Sequence, residues 1–237
     1  ASAYGDGLFE SVLMLADRGW LLGRHLARLQ RGLAALQLQP PTPERIHRVL
    51  SEACAAAASH RATVLKLQVG AAAQGRGYGR LQDPSCELSA TLYPAAHLPQ
   101  SRLPPARVHL CSLRLALQPA LAGIKHTNRL EQVLASNEWA AAGADEGLML
   151  DSAGRLIEGT HSNVVLQLDG ELVTPDLSGA GVAGVFREWL LEQSALTTRP
   201  VSLAELEQAQ GLWLVNSVFG LRAVARMDLE GGTRLLN

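Results

Sequence analysis

The stretch "GIKHTNRLEQVLASNEWAAAG", residues 123–143, places a lysine directly before a segment with helical periodicity. Leu130, Val133 and Leu134 recur at intervals of three and four residues, with polar residues between them, which predicts a helix. Lys125 lies just before the N-terminus of that helix and is followed by a histidine, a threonine and an asparagine. The amine of this lysine is the first candidate for chemistry in the chain.

Lysine is rare in this protein. Of the 21 basic residues, only Lys66 and Lys125 are lysines. Arginine supplies positive charge equally well, but its guanidinium stays protonated and is no amine nucleophile. Lys66 lies in "ATVLKLQVGA", whose alternation predicts a strand with one solvated face, so we interpret it as an ordinary residue. Lys125 is therefore the candidate reactive amine, and a solvated loop lysine is the alternative.

Composition limits the class of protein. A length of 237 residues, 47% hydrophobic content and a mean hydropathy of +0.07 indicate a globular protein of one large domain or two small ones. A formal net charge of −1 without a basic run argues against nucleic acid as a partner. Apolar runs too short for a transmembrane helix, and no secretory leader, predict a cytoplasmic protein without a membrane partner.

Cysteines and histidines give no sign of a metal or disulfide framework. Cys54, Cys86 and Cys111 are widely spaced and form no CxxC pair, which fits a reducing compartment. The seven histidines include no HxH or HExxH, so no metal site is expected. The chain opens at Ala1 instead of a methionine, so we expect a missing N-terminal piece. A small-molecule enzyme and a binding protein remain as alternatives.

Periodicity predicts an α+β fold rather than a doubly wound parallel sheet. The N-terminal half reads as helix 24–38, a second helix starting at Pro43 with Thr42 as N-cap, and strands 62–71 and 86–93. The proline-rich "HLPQSRLPPARV" predicts a linker at 98–106, between a small α+β domain at 1–97 and a larger one at 107–237. The larger domain reads as hairpins turning at 152–154 and 169–170, two short helices and two final strands.

Three further motifs carry polar groups. "GVAGVFREW", residues 181–189, offers backbone N–H groups at a helix N-terminus, which suits a phosphate, although the glycines also fit a simple turn. Glu158 ends a predicted strand in "LIEGTHSNVV", where a solvated carboxylate is the alternative. "YGDGLFES", residues 4–11, reads as a loop followed by a strand. An amine, an anion-binding site and a carboxylate are together the groups needed to hold an aldehyde phosphate as an imine.

The motifs together resemble one family of enzymes. In chain order they are "YGDGLFES", "RHLARLQRGLAAL", "GRGY", "AGIKHTNRLEQVLA", "ADEGLMLDSAGRLIEGTHSNVV", "TPDLSGAGVAGVFRE" and "WLVNSVFGLRAV". This series resembles the fold-type IV pyridoxal-phosphate enzymes, the group that contains branched-chain and D-amino-acid aminotransferases and aminodeoxychorismate lyases. Within the group, "GIKHTNRLEQVLA" and "GRGY" are most similar to the lyases. The resemblance implies a two-domain, D-amino-acid aminotransferase-like fold with the cofactor at an interdomain cleft, a pseudo-barrel second domain and a homodimer.

The resemblance also implies a role for each cofactor-binding residue. Lys125 would form the Schiff base with pyridoxal 5'-phosphate and later move protons, while Glu158 would keep the pyridine nitrogen protonated. Arg28 would clamp the phosphate. The backbone N–H groups of Val185 and Phe186 would assist it, together with Ser217. Arg129 falls where other members place a tyrosine near the ring hydroxyl.

The implied reaction is the conversion of 4-amino-4-deoxychorismate to 4-aminobenzoate and pyruvate, a lyase step towards folate. Ser11 matches the hydroxyl that protonates the leaving group, and Asn216 matches a substrate-contacting asparagine. The alanines of "VGAAAQ" replace an arginine common before "GRGY", so a substrate carboxylate contact is expected from Arg76. An aminotransferase of the same fold, acting on branched-chain or D-amino acids, is the first alternative. A non-catalytic binding protein that retains the fold is the second.

Overall fold

The computed structural model describes residues 4–71, 78–80, 86–95 and 103–236. Its chain divides into two units. The first comprises Ala1–Leu98 together with Ile124–Asn128, and the second comprises Pro99–Gly123 with Arg129–Asn237. The short piece that contains Lys125 therefore folds with the N-terminal part of the chain, although it is separated from it by 25 residues of the second unit.

The first unit is a four-stranded antiparallel sheet with two helices. Its elements, in chain order, are β1 (Gly7–Leu15), β2 (Arg18–Gly19), α1 (Leu22–Ala35), α2 (Pro43–Ala57), β3 (Thr63–Ala71) and β4 (Cys86–Pro94). The strands lie in the order β2-β1-β3-β4. Along β1, Leu8 packs with α1 in one hydrophobic cluster, and Val12 packs with both helices in another. Alternate residues of β1 therefore face the helices.

Helix α1 forms because its leucines follow the helical period. Leu29 and Leu33 are buried at 5% and 3% exposure, and Leu26 and Leu36 are partly buried around them. The predicted stripe is thus the packed face of the helix. The helix starts two residues earlier than predicted and ends at Ala35, since Gln37 adopts a positive φ of 53° that ends helical geometry.

The second unit is built on a nine-stranded mixed sheet with three helices. Its elements are β5 (Ala106–Leu115), α3 (Leu130–Ala141), β6 (Glu146–Asp151), β7 (Leu156–Gly159), β8 (Asn163–Leu168), β9 (Glu171–Pro175), α4 (Val185–Gln193), β10 (Leu196–Arg199), α5 (Leu203–Gln208), β11 (Gly211–Asn216), β12 (Gly220–Leu229) and β13 (Gly232–Leu235). Eight strands follow the order β10-β9-β8-β11-β12-β5-β6-β7, and β13 pairs with β12. Strand β5 is parallel to both β6 and β12, whereas most other pairs are antiparallel.

Local signals for caps and turns are confirmed. The Thr42 side chain accepts a hydrogen bond from the N–H of Arg45, so it caps α2 as predicted. The hairpin between β8 and β9 turns at Asp169 and Gly170, which have φ angles of 50° and 84°. Positive φ at both central residues is the geometry that suits a two-residue hairpin. These features depend on neighbouring residues alone, and the sequence carries them in full.

The predicted strands at 62–71 and 86–93 are present as β3 and β4, and the predicted helices at 181–193 and around "LAELEQA" are present as α4 and α5. Strands β2, β5, β10 and β13 were not predicted. The predicted linker at 98–106 lies partly outside the described residues, and β5 already begins at Ala106. The domain limits 1–97 and 107–237 stay a prediction, which did not include the return of residues 124–128 to the first unit.

Helix α3 is present, but the three residues whose spacing predicted it are not buried within the chain. Leu130, Val133 and Leu134 are 77%, 54% and 55% exposed. The buried residues of α3 are instead Gln132 and Ala135, and Trp139 packs partly buried against the hydrophobic cluster that contains Ala135. The helical period was therefore sufficient to predict the helix but not the face that it buries.

Candidate active site

Lys125 lies in an extended segment alongside β1, ahead of the first residue of α3. The Phe9 N–H donates to the Lys125 carbonyl oxygen at 3.0 Å, and the Thr127 N–H donates to the Gly7 oxygen at 2.9 Å. Leu8 and His126 form an antiparallel bridge, so Phe9 and Lys125 are opposite each other. Residues directly opposite in an antiparallel pair point to the same face. The strand pairing therefore fixes the direction of the lysine side chain.

Both lysines of the chain approach one aromatic ring. The Lys125 Nζ atom is 4.5 Å from the centroid of the Phe9 ring, and the Lys66 Nζ atom is 5.4 Å from it. These distances are in the range of cation–π contacts. Lys66 is also directly opposite Ser11 in the pairing of β1 with β3. The predicted strand with one solvated face is confirmed, because Leu65 and Leu67 are buried while Gln68 is exposed. The interpretation of Lys66 as an ordinary residue stays a prediction, although its amine lies beside Phe9.

Arg28 is held by a carboxylate on β1. Its Nε donates to Glu10 Oε1 at 2.8 Å, and its Nη2 donates to Glu10 Oε2 at 2.5 Å. Arg28 is 7% exposed and Glu10 is 1% exposed. Sequence analysis singled out Arg28 but missed Glu10, which lies in "YGDGLFES" as one acidic residue among apolar neighbours. A charge at an inward position of a strand was the signal that could have identified it.

Glu158 is a buried carboxylate at the end of β7 in the second unit. It is 4% exposed, and its Oε2 accepts a hydrogen bond from the Val182 N–H at 2.8 Å. A Cβ atom added at Gly181 would lie 3.2 Å from the same oxygen, and Gly181 has a φ of 83°. The glycine is required here for both conformation and close approach. The solvated alternative for Glu158 is excluded by its burial.

The segment from Gly181 to Gly184 forms a tight turn in front of α4. The Asn163 Nδ2 donates to the Val182 oxygen at 2.8 Å, and a Cβ atom at Gly184 would overlap with Asn163 Oδ1. Helix α4 then begins at Val185, and no side chain caps its first turn. The N–H groups of the first helical turn have no partner within a helix. Val185 and Phe186 lie in this first turn, and the phosphate contact predicted for their backbone N–H groups stays a prediction.

The start of α4 is anchored by a buried arginine. Arg187 donates to Thr174 Oγ1 and to the Pro175 oxygen, both at 2.9 Å. Burial lowers the pKa of Arg187 from its usual value. This residue was not identified from the sequence, where it reads as an ordinary helical charge. Its contacts connect the helix N-terminus to β9.

Asn216 and Ser217 lie at the turn between β11 and β12. Asn216 Oδ1 accepts hydrogen bonds from the N–H groups of Val218 and Phe219, each at 2.9 Å. Its Nδ2 donates to the His161 oxygen at 3.3 Å. These contacts shape the turn, and the substrate contact predicted for Asn216 stays a prediction. Ser217 follows it in the same turn.

The other predicted site residues have different settings. Ser11 lies on β1, two residues after Phe9, so the two share one face of the strand. Arg129 is the N-cap residue of α3 and makes no side-chain cap there. Arg76 falls outside the described residues. The roles implied for these three residues therefore stay predictions.

Comparison with known proteins identifies the family. The family model for class IV amino-transferases matches residues 7–227. The chain belongs to this family. It is 32% identical over 230 residues to the aminodeoxychorismate lyase of Vibrio harveyi, covering 94% of this chain and 83% of that protein. It is 26% identical over 239 residues to a putative branched-chain-amino-acid aminotransferase of Methanocaldococcus jannaschii, with 95% and 80% coverage.

A crystal structure of 4-amino-4-deoxychorismate lyase from Pseudomonas aeruginosa matches this class IV fold with a TM-score of 0.89 and 42% identity. The match covers 99% of this chain and 87% of the other. The predicted α+β, aminotransferase-like fold class is thereby confirmed. So is the resemblance to fold-type IV enzymes, with aminodeoxychorismate lyases among the similar proteins.

The described residues contain neither a metal-binding cluster nor a membrane-spanning helix. Within residues 4–71, 78–80, 86–95 and 103–236, no three His, Cys, Asp or Glu side chains cluster so as to hold a metal ion. In the same described part of the chain, no helix has the length and apolar character needed to cross a membrane.

Proposed function

We propose that this protein is a pyridoxal-phosphate-dependent lyase that converts 4-amino-4-deoxychorismate to 4-aminobenzoate and pyruvate. The observation that carries the proposal is the 42% identity to a solved lyase over 99% of the chain. The 32% identity to a second lyase over 94% of the chain supports it. An enzyme is also favoured over a binding protein because the amine, the buried carboxylate and the helix N-terminus are all retained.

Each predicted cofactor-binding residue supplies a group that suits one part of pyridoxal phosphate. Lys125 supplies a primary amine for the aldehyde carbon, and Glu158 supplies a buried carboxylate for the pyridinium nitrogen. The first turn of α4, at Val185 and Phe186, supplies backbone donors for the phosphate, with Arg28 as a cation. When bound, the cofactor delocalises the electron pair that remains after a proton leaves the substrate.

The proton movements fall to two side chains. Lys125 takes the proton from the substrate carbon that carries the amino nitrogen, as its amine is not permanently charged. The bond between the substrate ring and the enolpyruvyl oxygen then breaks. Ser11 donates a proton to the enolpyruvyl group as it departs to become pyruvate. The remaining ring becomes aromatic, so that substrate atoms are all accounted for in 4-aminobenzoate and pyruvate.

An anionic substrate suits the face of β1 and β3. Lys66 and Ser11 are directly opposite each other, and the Lys66 amine approaches the Phe9 ring that Lys125 also contacts. The Lys66 ammonium near this ring produces a positive potential that attracts carboxylates. We therefore add Lys66 to Arg76 and Asn216 as a candidate substrate-binding residue. It offers a carboxylate contact from within the described residues.

We also propose that the protein is a cytoplasmic homodimer. Leu130, Val133 and Leu134 are all more than half exposed and lie on one side of α3. An apolar strip of this kind is typical of a surface that another chain covers. Light scattering should give twice the 25.3 kDa chain mass, and Leu134→Glu should shift the protein towards a monomer. A wild-type monomer at micromolar concentration would rule the dimer out.

The decisive experiment is a coupled assay of aromatic product and pyruvate. The purified protein with added pyridoxal phosphate is given 4-amino-4-deoxychorismate, and 4-aminobenzoate and pyruvate are measured in parallel. Equal amounts of both products support the lyase. The aminotransferase alternative is tested with branched-chain or D-amino acids and 2-oxoglutarate. Transamination without aromatic product would favour that alternative, and a protein that neither binds the cofactor nor turns over substrate would be a binding protein.

A further inference from the structure

Three polar side chains are buried together between β1 and α1 in the first unit. Glu10, His25 and Arg28 are 1%, 0% and 7% exposed. Glu10 belongs to β1, and the other two belong to consecutive turns of α1. None of the three is the amine or the carboxylate proposed above to contact the cofactor, which belong to Lys125 and Glu158. Only Arg28 is proposed to contact the cofactor, at its phosphate.

The carboxylate of Glu10 is the centre of this cluster. Arg28 donates to both of its oxygens, through Nε at 2.8 Å and Nη2 at 2.5 Å. His25 Nδ1 lies 2.6 Å from Oε2. Burial alone would raise the pKa of Glu10, but the hydrogen bonds of Arg28 and His25 outweigh it and lower the pKa. The carboxylate is therefore ionised, and it forms a charged, two-point contact with the guanidinium.

Such a contact constrains the arginine. A guanidinium held through Nε and Nη2 keeps one plane and one rotamer, because both hydrogen bonds are directional. His25 in turn restrains the carboxylate through its contact with Oε2. Burying such ions costs free energy, and hydrophobic residues of similar volume would serve packing at least as well. A role in orienting Arg28 explains why the three polar groups are retained.

We propose that Glu10 and His25 are positioning residues for the cofactor phosphate, which act by fixing the orientation of Arg28. The proposal rests on the proposed function, since it requires that the protein binds pyridoxal phosphate and that Arg28 contacts the phosphate. It adds two residues that touch neither substrate nor cofactor. Their effect should therefore concern the phosphate and not the aldehyde or the ring.

The test compares two ligands that differ only in the phosphate. Dissociation constants of the apo-protein are measured for pyridoxal phosphate and for pyridoxal, and their ratio reports how strongly the phosphate is recognised. In Glu10→Gln, one amide N–H faces a guanidinium N–H, so the arginine leaves its orientation. We expect the ratio to fall at least tenfold, with the pyridoxal affinity changed by less than threefold. A purely structural role would weaken both ligands alike.

A matched control exists in the same unit. Arg80 binds Asp6 through Nε at 2.9 Å and Nη2 at 2.5 Å, which is the same two-point geometry away from Arg28. Asp6→Asn should leave the ratio within twofold of wild type. His25→Leu removes one restraint on the carboxylate and keeps the ion pair, so the ratio should fall about threefold. This variant decides the matter if Glu10→Gln does not fold, as judged by circular dichroism.

The outcomes separate this inference from the proposed function. A wild-type protein that binds pyridoxal phosphate no better than pyridoxal would overturn both. A wild-type protein that prefers the phosphate, with Glu10→Gln or His25→Leu showing an unchanged or higher ratio, would overturn the positioning role alone. A selective fall in both variants, absent in Asp6→Asn, would support it.

Discussion

The two units hold their candidate site groups in different ways. In the first unit, side chains are held by other side chains and by strand pairing: Lys125 lies opposite Phe9, and Arg28 is held by Glu10. In the second unit, backbone groups contact the site directly and side chains support that backbone. Glu158 accepts from the Val182 N–H, and Asn163 holds the glycine turn that precedes α4. The carboxylate of Glu10 is thus held by side chains in the first unit, whereas a backbone N–H binds the carboxylate of Glu158 in the second.

This difference decides which substitutions are informative. Changing one side chain in the first unit removes a group or its restraint and leaves the fold in place. In the second unit, the sensitive positions are glycines, because an added Cβ occupies the space that the turn needs. Side-chain substitutions should therefore separate chemical roles in the first unit, and glycine substitutions should test the backbone support in the second.

The largest effect is expected for the amine of the first unit. Lys125→Ala should lower lyase activity by about 10⁴-fold or more, as is usual when a covalent nucleophile is removed. Borohydride should attach the cofactor to Lys125 in the wild type, which peptide mass analysis would locate, and not in the variant. Lys125→Arg is the control, because it keeps the charge and still lacks the amine. Retained activity in Lys125→Arg would contradict an essential amine.

The proton donor of the same unit should show a smaller, selective effect. Ser11→Ala should slow pyruvate release by about 10²-fold, in the range of a positioned acid, while cofactor binding stays unchanged. The absorption of the bound cofactor is measured beside the rate. Ser51→Ala, an exposed hydroxyl on α2, is the matched control. Equal turnover in Ser11→Ala and wild type would remove Ser11 from the mechanism.

For the backbone support of the second unit, Gly184→Ala is the sharpest test. Its Cβ would overlap with Asn163 Oδ1, so the turn before α4 must move. We expect a loss of about 2 kcal/mol in the free energy of unfolding, comparable to overpacking in a core, and weaker cofactor retention. Urea denaturation and cofactor titration measure the two effects. Gly231→Ala, where a Cβ would meet no atom within 4 Å, should change neither by a comparable amount.

The charge of Lys66 tests the first unit again, now for substrate binding. Lys66→Met should raise KM for the anionic substrate about tenfold, with kcat less affected, because an ion pair is lost and the chemical groups remain. Lys66→Arg should restore most of the affinity, since charge is what the substrate needs there. Steady-state kinetics provide both constants. A lower kcat at unchanged KM, in the methionine variant, would point to a chemical role instead.

The smallest effect is expected for an ion pair that lies outside the candidate site. Hydrogen bonds from Arg107, Thr233 and Arg226 outweigh burial and lower the pKa of Asp228 to about 2. A lowered carboxyl pKa contributes stability above the usual value near 3.8, and the contribution is lost as pH falls towards 2. Asp228→Asn should therefore cost about 1 kcal/mol at pH 7 after allowance for solvent screening.

The difference in unfolding free energy between Asp228→Asn and wild type, measured with urea, should shrink as pH falls from 4 to 2. The wild-type carboxyl is protonated in the unfolded chain below about 3.8 but in the folded protein only near 2, so its contribution is lost across this range. The exposed Asp17, changed to asparagine, is the control and should alter stability little at either pH. A difference between Asp228→Asn and wild type that is the same at pH 7 and at pH 2 would show that charge is not the cause.

Much of the site was predictable because it depends on residue type and local order. Lys125 was identified by the scarcity of lysine, and the start of α4 was identified by its glycines. The position of Lys66 beside Phe9 was not predicted, since alternation along a strand shows that a face is polar but not what opposes it. Glu10 was missed for the same reason. Its partners lie 15 and 18 residues away, on a different element.

The sequence by itself determined α1, α2, the hairpin at residues 169–170 and the candidate amine. The reason is that helical period, caps, turn residues and the identity of reactive groups are properties of neighbouring residues. Only the tertiary structure decided that both lysines approach Phe9 and that Leu130, Val133 and Leu134 of α3 remain exposed. Which side chains meet depends on strand register and helix packing. Those are set by contacts between residues far apart in the chain, whose free energies no local pattern contains.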